Sequence, residues 1–243
     1  MTLSCDAPVP GGLGLPIPPE TVYRPQEDSQ LLVDAVRRSC RVPGTRAADL
    51  CTGTGVVAIE LARLGAASVL AIDSCPGAAQ SAAARCQKVS DIVTVEHRDL
   101  NDLTGRDTFD LVTCNPPYVP TPPDLDVTDE YAWPRNAWDG GPDGRSVLDP
   151  LCAGAAELLN PGGTLLLVQS EFADPAETVA ALRRTGLHAD VVARRRVPFG
   201  PVLTAQATWF EDLGLLDTDR RVEELVVVRA DRPSTSAAPR GHR

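Results

Sequence analysis

The residues best suited to chemistry lie in "DLVTCNPPYVP", Asp110 to Pro120. Leu111 to Thr113 reads as a buried strand, but Pro116 and Pro117 carry no N–H and cannot extend a ladder. The strand therefore gives way to an amide, two rigid rings and an aromatic: Asn115, Pro116, Pro117 and Tyr118. The side-chain oxygen of Asn115 and the backbone carbonyl of Pro116 can each accept one hydrogen of a planar NH₂ group. The Pro-Pro backbone fixes both acceptors, and Tyr118 can pack on the planar group. The nitrogen of an amide or aromatic amine is a poor nucleophile because its lone pair is delocalised. Two acceptors favour a pyramidal nitrogen and stabilise the positive charge that develops when it attacks, so no strong general base is needed. The competing explanation is a plain strand terminator.

A second constellation, "DLCTGTG" (Asp49 to Gly55), follows a strand and precedes a helix. Gly53 and Gly55 let the backbone approach a ligand closely, as at the first turn of nucleotide-binding α/β folds. Asp73 ends the next strand, about 20 residues beyond the glycines, where a carboxylate can take a ribose hydroxyl pair. Asp99 lies just beyond the third strand and can accept from an adenine amino group. The third glycine place of a dinucleotide turn is Ala58, a permitted variant, so the turn alone does not exclude a nicotinamide cofactor. Asp49 does discriminate: a carboxylate there repels a pyrophosphate but suits the ammonium of a methionine moiety. The expected cofactor is S-adenosylmethionine (SAM), whose electrophilic methyl needs a nucleophile held in line.

The elements that must position these groups alternate. A helix begins near Asp28, with Asp28 or Ser29 as its N-cap, and closes at Pro43-Gly44. Strands are expected at 47–50, 69–72, 92–95, 110–114, 164–170, 189–194 and 223–229. Helices are expected at 56–64, from Pro76 to about Lys88, at about 146–159 and at about 175–185. Strands alternating with helices predict a mostly parallel seven-stranded sheet covered on both faces. No crossover helix is evident between the last two strands, so the final strand is expected to insert antiparallel. Residues 1–20 read as a flexible arm, 21–230 as one domain, and the chain from Asp231 as a disordered tail.

Composition narrows the class. The 243 residues are 43% hydrophobic, enough for a sizeable core, and no apolar run reaches a membrane span. Without a signal-peptide pattern, the expected location is cytoplasmic. The seven cysteines include no Cys-x-x-Cys pair and only three histidines accompany them, so no metal site is expected. A net charge of −10 gives no general pull toward nucleic acid, although Arg194-Arg195-Arg196 could touch phosphate locally.

Three segments together resemble class I SAM-dependent methyltransferases of the HemK-like branch, in the short form without an N-terminal helical domain. They are "VYRPQEDSQLLVDAV" (Val22 to Val36), the tetrad Asn115 to Tyr118, and "AWDGGPDGRSVLD" (Ala137 to Asp149). The resemblance spans about residues 20–170 and implies a Rossmann-like fold. It also implies methylation of a glutamine side-chain amide in a protein such as a translation release factor. By its implication Ser29 contacts SAM, Asp49, Cys51 and Gly53 line the methionine part, Asp73 binds the ribose, and Asp99 and Leu100 border the adenine. Asn115 holds the target amide beside the cofactor, and Pro116, Pro117 and Tyr118 complete the clamp. Eukaryotic short forms work with a small zinc-binding partner, which leaves open an activating subunit here. The chain departs from the pattern at Cys51, where glycine is usual, and in the long connection Val197 to Arg221, read as a flap or an inert insertion. The same tetrad suits an exocyclic amino group of adenine or cytosine, or a small metabolite. The acidic charge disfavours nucleic acid.

Overall fold

The computed structural model describes residues 22–39, 41–103, 107–123 and 133–234. The N-terminal arm, Cys5, Cys40 and His242 lie outside the described residues. Seven strands form one sheet: β1 (Arg46–Leu50), β2 (Ser68–Asp73), β3 (Val93–His97), β4 (Phe109–Cys114), β5 (Leu159–Ser170), β6 (His188–Pro198) and β7 (Val222–Asp231). Their order is β3-β2-β1-β4-β5-β7-β6, parallel except that β7 runs antiparallel to both its neighbours. This is the Rossmann-like arrangement expected from the alternation, antiparallel last strand included.

β1 and β4 are buried almost throughout, as central strands covered on both faces must be. The helices are α1 (Glu27–Ser39), α2 (Val56–Arg63), α3 (Pro76–Cys86), α4 (Leu148–Leu158), α5 (Pro175–Arg184) and α6 (Pro201–Asp212). α1 packs on α2 and α2 on α3, while α4 packs on α5. Pro76, Pro175 and Pro201 open their helices, where a missing N–H costs nothing.

Three expectations need correction. Neither Asp28 nor Ser29 caps α1: the helix begins at Glu27, and the Gln26 carbonyl already accepts from the Gln30 amide. A helix does lie between the last two strands. α6 was missed because its apolar residues are scattered among Thr, Gln and Ala, yet it buries Val202, Leu203, Ala207 and Phe210. The tail does not start at Asp231, which is paired in β7. Beyond it the Arg232 amide donates to the Gly163 carbonyl, and its guanidinium to the carbonyls of Ala156 and Leu159. Residues 235–243 lie outside the described residues.

Candidate active site

β4 delivers Asn115 to the carboxyl edge of the sheet, and the geometry there is set by Asp28 on the first turn of α1. The Asn115 amide nitrogen donates to Asp28 Oδ2 and to Ser29 Oγ, both at 3.2 Å. A carboxylate only accepts, so the NH₂ of Asn115 must face it. The Asn115 side-chain oxygen is thereby left for the cleft. The hydroxyls of Tyr23 and Tyr118 also donate to Asp28 Oδ2, at 3.0 and 3.2 Å. Asp28 Oδ1 accepts from the Ser29 amide at 2.5 Å and the Ser29 hydroxyl at 3.2 Å. Asp28 is 4% exposed, so this is a buried hub serving five donors.

Sequence reasoning gave Asp28 no role beyond capping and gave Tyr23 none. The signal was in hand, because both belong to the "VYRPQEDS" segment that carried the resemblance. Tyr118 is 8% exposed and its hydroxyl donates to Asp28, so it stands as an anchored wall. Burial first, and the Asp28 charge second, push the Tyr23 and Tyr118 phenols well above their ordinary pKa. Both therefore remain donors.

The glycine-rich segment after the tetrad braces it. The Val119 amide donates to the Trp138 carbonyl, and the Gly140 and Thr121 amides close the pairing with Val119 and Gly141. At Gly144 the backbone has φ +76°, and a Cβ would sit 2.5 Å from the Tyr118 carbonyl oxygen. Only glycine fits that approach. Arg145, unassigned by the sequence, is buried with its guanidinium on the carbonyls of Ala173 and Asp174 and the Thr178 hydroxyl.

At the cofactor end the turn Cys51–Gly55 is pinned from both sides. Asp49 is 2% exposed and accepts from the Thr52 hydroxyl at 2.6 Å, the Thr113 hydroxyl at 2.7 Å and the Ala58 amide at 3.1 Å. Burial raises its pKa to about 6 against these hydrogen bonds. Its oxygens lock the turn to β4 and α2, and its charge reaches the cleft mainly as a field. Asp73 accepts from the Gly53 amide at 2.9 Å and the Cys75 amide at 2.8 Å and lines the cleft. Desolvation raises its pKa.

The two glycines divide the labour assigned to both. A Cβ at Gly53 would meet nothing within 4 Å, whereas one at Gly55 would meet Cys86 Sγ at 2.9 Å. Gly55 thus serves packing on α3, and Gly53 keeps the approach open. Cys51 takes φ 54°, the conformation glycine prefers, so the substitution leaves the turn's path intact.

Tyr23, Asp28, Asp49, Cys51, Gly53, Asp73, Asn115 and Tyr118 share one cleft of about 630 Å³, together with Ser29, Asp99, Leu100, Pro116 and Pro117. Val197 to Leu203 also line it, so the start of the long connection is part of the cleft wall. The lining carries Glu27, Asp28, Asp49, Asp73, Asp99, Asp139 and Glu223 against a single base, Arg98, which is itself paired to Glu96. Such an acid-rich lining, poor in cations among the described residues, fits a cofactor bearing a sulfonium and an ammonium and disfavours phosphates. Glu223 is a further site residue that the sequence did not reveal. Its position at the start of β7 reads as an ordinary strand end. Arg194 pairs with Glu224, Arg195 with Glu27 and Asp34, and the largely exposed Arg196 with Glu224 at 4.0 Å.

Comparison with known proteins agrees with this geometry. A family described as "Methyltransferase domain" matches residues 47–131. A Methanocaldococcus jannaschii protein named "Putative protein N5-glutamine methyltransferase" is 32% identical over 197 residues, covering 81% of this chain and 95% of that one. The release factor glutamine methyltransferase of Mycolicibacterium smegmatis is 39% identical over 153 residues, 60% of this chain. This chain spans about half of that relative, 53%. Among solved structures, the E. cuniculi Mtq2–Trm112 complex, described as methylating the eRF1 translation termination factor, shares the fold. Its TM-score is 0.56 at 22% identity, over 87% of this chain and 98% of that one. The chain belongs to the class I SAM-dependent methyltransferases, in the family of HemK-like protein N5-glutamine methyltransferases.

Proposed function

We infer that this protein transfers a methyl group from SAM to a planar side-chain amide, that of a glutamine in a protein acceptor such as a translation release factor. The observation that carries the reading is the orientation of Asn115. Asp28 and Ser29 take its NH₂, which commits its oxygen to the cleft as a hydrogen-bond acceptor. A flat NH₂ group is what that acceptor and the Pro116 carbonyl together would hold. SAM supplies the electrophilic methyl on a positively charged sulfur.

The chain's own residues do the rest. Asp73 would take the ribose hydroxyls. Ser29, Asp49, Cys51 and Gly53 would line the methionine end, and Asp99 and Leu100 the adenine. Asn115 and Pro116 hold the acceptor nitrogen and draw its hydrogens out of the amide plane, localising the lone pair. Pro117 and Tyr118 wall the acceptor in, and the Asp28 hub keeps the clamp from rotating. A protein acceptor is favoured over nucleic acid because, among the described residues, the one base of the lining, Arg98, is paired to Glu96. A small activating subunit remains part of the proposal, since eukaryotic short forms use one. Its readout is a rise in rate when a cognate subunit is added.

The test is incubation with labelled SAM and a cognate release factor, beside the same factor carrying Gln→Ala in its Gly-Gly-Gln loop. Label confined to the unmutated factor is expected. Label retained by the mutant, or found only in nuclease-sensitive material, would reject the reading.

A further inference from the structure

Methylation of an amide leaves a proton to be placed, and the Asp28 hub is poorly suited to take it because five donors already occupy its oxygens. Glu223 is the contrasting group. It is 7% exposed, lines the same cleft, and its Oε2 is buried with no hydrogen-bond partner among the described residues. An unpaired carboxylate oxygen in such a place is costly and uncommon. We propose that Glu223 is the proton acceptor of the methyl transfer, and so a catalytic residue of this site.

The proposal rests on the amide-methylation reading, and the step balances. The nitrogen lone pair forms the new N–C bond, and the methyl–sulfur bond breaks with its electron pair kept on sulfur. One N–H proton is released and passes to the Glu223 carboxylate, which lines the same cleft. The nitrogen becomes strongly acidic as the methyl arrives, so a weak base suffices, provided it lines the cleft and is not held by a cation.

Several groups act on Glu223 from the elements around it. Asp28 and Tyr23 stand on and before α1, Tyr118 follows β4, Ser170 ends β5 and Glu171 follows it. Arg220 precedes β7 and is also paired to Glu171. Burial is the largest influence, the Ser170 hydroxyl opposes it, and the Asp28 and Glu171 charges add to it, leaving a pKa of about 7. The carboxyl can therefore accept a proton near neutral pH and release it again between turnovers.

The sign of the stability effect follows. The folded-state value lies above the ordinary 4.5, so the protonated form favours folding. That contribution is full below 4.5 and is lost as pH rises through about 7.

The test uses Glu223→Gln in the full chain. Turnover should fall about a hundredfold with KM for SAM and acceptor nearly unchanged. The rise of wild-type kcat with pH, with a midpoint near 7, should disappear in the variant. Its melting temperature should exceed wild type at about pH 8 and match it at about pH 4, which also shows that the variant folds. Infrared difference titration of the cofactor-free chain, wild type minus variant, should show one carboxyl titrating near 7. A variant with wild-type turnover and pH profile, or a Glu223 carboxyl titrating near 4.5, overturns the proposal while leaving amide methylation standing. If the wild type methylates no amide, that reading and this one fall together, and the infrared titration alone does not rescue the role.

Discussion

At the residue scale we propose that the site separates groups that hold the acceptor from groups that hold the cofactor. Asn115 would belong to the first set and Asp73 to the second, and their variants should divide kinetically. Asn115→Ala removes one acceptor that strengthens only as charge develops. It should lower kcat about a hundredfold, roughly 3 kcal/mol, with SAM affinity nearly unchanged. Asp73→Ala should instead weaken SAM binding by roughly 1.5–3 kcal/mol, since a carboxylate on two hydroxyls makes charge-assisted bonds. Calorimetric titration beside single-turnover rates reads both. Equal losses in both parameters for both variants would refute the division. That Asn115 and Asp73 line the cleft was legible in the sequence, because each sits at a strand end whose neighbours announce a turn. Asp28 and Glu223 were not: one looks like a helix cap and the other like a strand residue. Their importance lies in what reaches them from distant parts of the chain, the Asn115 amide being 87 residues from Asp28.

At the element scale, the strands and most helices were readable from apolar runs broken by Gly and Pro. The errors fall where tertiary packing overrides local pattern. β6 runs to Pro198 because it pairs along its whole length with β7, although "RRRVP" has no strand alternation. α6 exists because Phe210 packs against Phe172, with ring centroids 4.9 Å apart, a contact no local window contains. The glycine loop after the tetrad was recognised as a motif, but its task was not. Gly144→Ala tests that task. Its Cβ would strike the Tyr118 carbonyl and its φ of +76° strains any side chain, so the backbone under the clamp must move. A loss of stability of about 2 kcal/mol or more is expected, with a fall in kcat of at least about tenfold at temperatures where the variant is folded. Wild-type kcat in a folded variant would show that the loop does not brace the clamp.

At the scale of the whole molecule, a doubly covered sheet brings its carboxyl edge, the first turn of α1 and the β6–α6 connection to one acid-lined cleft. The net charge of −10 is partly gathered there, in seven carboxylates of the lining among the described residues. Among the described residues no helix is long and apolar enough to cross a membrane. The measurement that bears most directly on the central claim is tandem mass spectrometry of a cognate release factor after incubation with the protein and SAM. One methyl group should be found, on the side-chain nitrogen of the glutamine in the Gly-Gly-Gln loop. It should be absent when Asn115→Ala replaces the wild type for the same short incubation. A methyl on lysine, on the backbone, or on co-purifying nucleic acid with that glutamine unmodified would contradict the account.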